Sequence, residues 1–187
     1  METLRNHWEA FQQQWQAFRQ RQLPGEQRPL LTQSPRPLSQ IDTVDTVDSP
    51  GSEEAIALAM HNKARAARGI DRLQWSDTLA HDAQLHANHM ARIGRLKHYN
   101  EGQGENLFVC SANVRLRDAV RMWREEEGHY HDQRIGEGDL SMYGHYTQCV
   151  WRGTTHVGMA KARARDGSAF VVARYWPPGN VMGERVR

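Results

Sequence analysis

Residues 144–180 read GHYTQCVWRGTTHVGMAKARARDGSAFVVARYWPPGN. Within this stretch, His156-Val-Gly-Met-Ala-Lys-Ala-Arg-Ala164 and Ser168-Ala-Phe-Val-Val-Ala-Arg-Tyr175 predict two strands, with Asp166-Gly167 as the turn between them. Tyr175-Trp-Pro-Pro-Gly-Asn180 then predicts a loop held rigid by its prolines. Upstream the period changes. Residues 53–68 (EEAIALAMHNKARAAR) are helical in composition, with Ser52 as N-cap and Gly69 as the stop. Ser76 opens a second helix that runs to about Ile93 and stops near Gly94. A third is expected from Leu116 to Tyr130, where Leu116, Ala119, Trp123 and Tyr130 fall at helical spacing. Helices first and strands later predict an α+β domain, with helices packed on a small antiparallel sheet.

Further outward, the N-terminal quarter differs in composition. Residues 1–22 predict a Gln-rich amphipathic helix with one narrow apolar stripe: Leu4, Trp8, Phe11, Trp15 and Phe18. Residues 23–52 carry Pro24, Pro29, Pro35, Pro37 and the acidic doublet TVDTVD, and read as a disordered linker. The folded domain is therefore expected over residues 53–187. That division explains why a chain of 187 residues, 39% hydrophobic, has a mean hydropathy of only −0.79. A net charge of +2 is too small to indicate nucleic acid as a partner. No apolar run is long enough for a membrane span, and the first 30 residues lack the apolar core of a signal peptide. The stripe of residues 4–18 could dock on the domain, bind a partner helix or lie on a membrane. Membrane contact ranks last, because the polar face is not strongly cationic.

Ten histidines direct attention to metal chemistry. His98, Glu105, Glu126 and His145 form a donor set suited to a divalent metal: imidazole nitrogens fit zinc, and carboxylates can ligate, orient a histidine or act as a base. Spacing alone does not assemble them, because they are scattered along the chain. The surrounding motifs do more. His61-Asn62-x-x-Arg65, Leu73-x-Trp75-Ser76-Asp77-x-Leu79-Ala80, Gly104-Glu105-Asn106, Gly144-His-Tyr-Thr-Gln-Cys-Val-Trp151 and Tyr175-Trp-Pro-Pro-Gly-Asn180 occur in one order. Together they resemble the CAP superfamily of cysteine-rich secretory proteins, antigen 5 and plant pathogenesis-related 1 proteins, over about residues 53–184.

The resemblance implies an α-β-α sandwich with a cleft holding His98, Glu105, Glu126 and His145. Helical spacing alone permits either Glu126 or Glu127 on the Trp123 face; the family pattern selects Glu126. Gly104, Asn106, Tyr146, Thr147, Gln148, Trp151, Tyr175, Pro178, Gly179 and Asn180 fall in the motifs that line the cleft. The resemblance also implies a small hydrophobic ligand, a sterol or a fatty acid, with the loop Glu127–Ser141 beside the cleft, and an extracellular role in defence or host interaction, with an intracellular location as the alternative. Three uses of the tetrad stay open: a divalent metal site, zinc before others; metal-dependent hydrolysis with a glutamate as base; or a structural network in a protein-interaction module. There is no HExxH motif, so a non-enzymatic binder ranks first.

Smaller signals have plainer expectations. His86 and His89, an i, i+3 pair on the second helix, could hold a surface metal, but with His81 they are expected rather to be solvated, and His129 and His131 to lie at a helix end. Cys149 stands where the family usually has an aliphatic residue. Cys110 and Cys149 are the only cysteines and leave room for at most one bridge.

Overall fold

A computed structural model describes residues 51–99 and 102–186. The expected helix over 1–22, and the linker apart from Gly51 and Ser52, lie outside the described residues. Four helices and four strands follow: α1 (Glu53–Ala67), β1 (Gln74–Trp75), α2 (Asp77–Ile93), β2 (Gly104–Cys110), α3 (Leu116–Glu125), α4 (Gly144–Cys149), β3 (His156–Arg163) and β4 (Ala169–Trp176). The Ser52 hydroxyl accepts from Ala55 N at 3.0 Å and the Ser76 hydroxyl from Leu79 N at 3.3 Å, so both N-caps satisfy a free N–H of the first turn.

Three expectations need correction. The sheet is mixed rather than antiparallel: its order is β1-β3-β4-β2, and β1 pairs with β3 in parallel. It also has two strands beyond the predicted hairpin. Strand β1 is only two residues long, and β2 is buried along most of its length, so neither shows a period of two. The third helix ends at Glu125, where the chain tightens into a 3-10 turn, Glu126–His129.

Alternation along the strands sorts the layers. Gly158, Arg174 and Glu105 occupy one cross-strand row and face α2. Asn106 and Tyr175 point the other way, towards α1 and α4. Helix α2 packs on β3 and β4, while α1, α3 and α4 pack against one another, giving the α-β-α sandwich. The core is filled by Trp123, Phe108, Phe170, Val171, Val172 and Tyr175, each at most 2% exposed. Each such apolar side chain contributes about 1.5–3 kcal/mol.

Gly158 sets the closest approach. A Cβ there would stand 2.2 Å from Ala80 N and 2.6 Å from Ser76 O, both backbone atoms at the start of α2. Neither can swing aside, so Gly158→Ala should destabilise by about 2 kcal/mol through displacement of the helix. Urea unfolding checks this; an unchanged midpoint would mean that the helix end relaxes freely.

Candidate functional site

Edge strand β2 organises the site, because Glu105 and Asn106 leave it on opposite faces. Glu105 Oε1 takes His98 Nδ1 at 2.7 Å and the Tyr99 N–H at 3.2 Å. Its Oε2 lies 2.7 Å from His86 Nδ1 and 3.1 Å from Arg174 Nη2, ion-pair contacts by distance that lack the alignment of hydrogen bonds. Burial would raise the Glu105 pKa. The His98 hydrogen bond, the charges of Arg174 and His86, and the Tyr99 N–H reverse this and hold the carboxyl below its usual value.

The second pair approaches from the side of α3 and α4. Glu126, in the tight turn after α3, places Oε1 2.6 Å from His145 Nδ1, and its Oε2 accepts from the His145 and Tyr146 backbone at 2.9 and 3.2 Å. Glu127 accepts instead from the Tyr146 hydroxyl at 2.7 Å. The Trp123 ring stacks on His145 at 6.3 Å, and its Nε1 donates to Leu107 O on β2. Asn106 ties the halves together by donating to His145 O at 2.9 Å. The four residues thus form two His–Glu pairs, His98 with Glu105 and His145 with Glu126. Among the described residues, no group of three His, Cys, Asp or Glu side chains is arranged to hold a metal ion.

The remaining motif residues brace this arrangement. Thr147 Oγ1 donates to Asn180 Oδ1 at 2.7 Å, Asn180 Nδ2 donates to Gly144 O at 2.7 Å, and the Gly179 N–H donates to Gln148 Oε1 at 3.0 Å. A Cβ on Gly179 would come within 2.7 Å of Trp151 and Gln148, so glycine lets the 175–180 loop clamp α4. Gly104 lies against Gln148 in the same way, while Pro178 is exposed.

One histidine departs from its expectation and a second had none. His86 is not solvated: it is 6% exposed, wedged between Glu105 and Arg174, and its Nε2 has no hydrogen-bond partner. His61 was visible only as a motif letter. Completely buried, it donates from Nδ1 to Ala57 O and accepts from the Tyr175 hydroxyl at Nε2, each at 2.9 Å. That hydroxyl in turn receives Asn106 Nδ2 at 3.2 Å. A buried chain of hydrogen bonds therefore joins α1 to His145. The spacing His61-x-x-x-Arg65, two polar residues on a buried helical stripe, was the available signal. Cys110 and Cys149 are both free and buried, with no bridge between them; burial pushes the Cys149 thiol up to about 12.

The chain is similar to known proteins. The model of the CAP, cysteine-rich secretory protein family matches residues 58–175. Pathogenesis-related leaf protein 4 of Solanum lycopersicum is 39% identical over 131 residues, 68% of this chain and 79% of that protein. The Golgi-associated plant pathogenesis-related protein 1 of Homo sapiens is also 39% identical over 131 residues, covering 84% of its own length. The crystal structure of NaASP2 with Zn2+ superposes with a TM-score of 0.62 at 24% identity, covering 74% of this chain and 87% of that one, a likeness of fold. A matching fold, an identity near 40% and a family model spanning most of the domain agree: this chain belongs to the CAP family and is of the pathogenesis-related 1 type.

Proposed function

We propose that this chain is a non-enzymatic binding protein whose His98 and His145 hold a divalent metal, zinc before others, and which takes a sterol or a fatty acid as its organic ligand. One observation carries the metal reading. Both imidazoles have Nδ1 committed to a carboxylate, which fixes the ring and makes Nε2 the donor available to an ion. The donor chemistry fits zinc, and the similar NaASP2 was crystallised with Zn2+. The carboxylates act as orienting groups: both oxygens of Glu105 and of Glu126 are engaged by neighbours, which leaves neither poised as a general base. For the apolar ligand, support comes from Trp176, Val181 and Met182, exposed by 51%, 44% and 69% in or just after the loop that clamps α4. The secretory family and the Golgi-associated human relative favour an extracellular or secretory-route setting.

Calorimetric titration of the full chain with Zn2+ tests the metal. Saturable binding is expected, lost in His98→Ala/His145→Ala and weakened about tenfold or more in Glu105→Gln and Glu126→Gln. Undiminished binding by the double variant would overturn the assignment. Labelled fatty acid and sterol titrations, with zinc and with chelator, test the second ligand, and no saturable uptake of either removes it. Peptide hydrolysis that disappears in the double variant would replace the whole reading with a metal-dependent hydrolase.

A further inference from the structure

Away from the His–Glu pairs, a cavity of ≈ 530 Å3 is lined by Arg134, Trp151, Arg152, Gly153, Glu184 and Arg185. Three arginines and one glutamate line it, and the hydrogen bonds that hold two of the arginine side chains go to neutral groups. Arg134 Nη1 donates to Gly183 O at 2.7 Å, and Arg185 Nη1 donates to Asp132 O. Both acceptors are neutral carbonyls that fix the side chains without neutralising them. Among the described residues, Arg152 has no hydrogen bond or ion pair, and Glu184 forms no ion pair with any of the three arginines.

The walls are tied to each other as well. Ile135 N donates to Glu184 O at 2.7 Å, Gly183 N donates to Ile135 O at 2.9 Å, and Val186 N donates to the Tyr130 hydroxyl at 3.0 Å. The 181–186 segment is thereby pinned to the loop carrying Arg134, so much of the cost of ordering these two arginines is met before a ligand arrives. Trp151, 6% exposed, supplies an aromatic wall.

We propose that this cavity is an anion site for a phosphate monoester. The planar guanidinium fork matches a phosphate's oxygens and binds them through charge-assisted hydrogen bonds. Three arginines and one glutamate leave a net charge of +2 in the cavity, which a monoester carrying about −1.5 to −2 at pH 7 balances and a carboxylate only half balances. The volume leaves room for the group that bears the phosphate, packed against Trp151. Two sources share this chemistry: a free phosphorylated small molecule and the headgroup of a phosphomonoester lipid.

Glycerol 3-phosphate and phosphatidic acid present the same group in the two settings. The full chain is titrated with glycerol 3-phosphate, followed by 31P NMR, and co-sedimented with phosphatidylcholine vesicles with and without phosphatidic acid. Saturable binding in either arm is expected, falling about tenfold in Arg152→Gln, rising about threefold in Glu184→Gln and weakening with salt. Binding in solution identifies a free ligand; binding confined to phosphatidic acid vesicles identifies the headgroup. Arg152 is exposed and, among the described residues, unpaired, so its replacement leaves the fold intact, as circular dichroism will verify. Failure in both arms, or equal binding by wild type and Arg152→Gln, overturns the site.

Discussion

Arg65→Met should lower stability by about 4 kcal/mol, because the side chain it removes is a buried cation satisfied entirely by backbone. Arg65 is 1% exposed. Its Nε donates to Asp71 O at 2.6 Å, its Nη1 to Trp151 O at 2.8 Å and Cys149 O at 3.4 Å, and its Nη2 to Thr154 O at 2.9 Å. One guanidinium thus joins the end of α1 to the loop before β1 and to the turn that leaves α4. Methionine fills much of the volume but strands these carbonyls in the core. For a domain of this size the melting temperature should fall by about 12 °C. Arg65→Lys should recover only part of the loss, since a single ammonium cannot span acceptors set around a fork. Thermal unfolding by circular dichroism is the measurement, and a shift below about 3 °C would mean that water replaces the guanidinium.

Acid should destabilise the fold through His61 specifically. Burial lowers its pKa from 6.5 to about 4, with the nearby Arg65 charge acting in the same direction against the hydrogen bond to Ala57 O. Because the folded value lies below the unfolded one, the unfolded chain binds the proton more readily. The stabilising contribution is therefore complete above pH 6.5 and is lost as the pH falls from 6.5 to about 4. The slope approaches 1.4 kcal/mol per pH unit, and the total is about 3 kcal/mol. His61→Gln removes this titration while keeping a donor and an acceptor near Ala57 and Tyr175. Glu105, whose pKa is also lowered, destabilises in more acidic solution in both proteins, so the difference between their stability curves isolates His61. Parallel curves between pH 6.5 and 4 would show that His61 does not titrate in this way.

The parts of the fold legible in the sequence are those encoded locally. Ser52 and Ser76 announce their helices because a cap needs only a hydroxyl and the next turn's N–H groups. Asp166-Gly167 announces the hairpin, and β3 and β4 pair across it. Strand β2 escaped notice because burial on both faces erases alternation, and two-residue β1 is too short to carry any. Among the site residues, His98, Glu105, Glu126 and His145 emerged from motifs rather than from periodicity. The choice between Glu126 and Glu127 could not come from helical spacing, because the α-helix has already ended at Glu125 and a 3-10 turn sets where each carboxylate points.

By itself, then, the sequence determined three of the four helices, the hairpin, the α+β class and the family, all of which rest on residues near one another in the chain. Tertiary structure alone decided which polar groups meet. His61 and Tyr175 are 114 residues apart, Arg174 and His86 are 88 apart, and Arg65 reaches a carbonyl 89 residues away. Those partnerships depend on sheet register and helix placement, to which local pattern is blind. A buried histidine and a solvated one on the same helix can therefore look alike until the strand opposite them is in place.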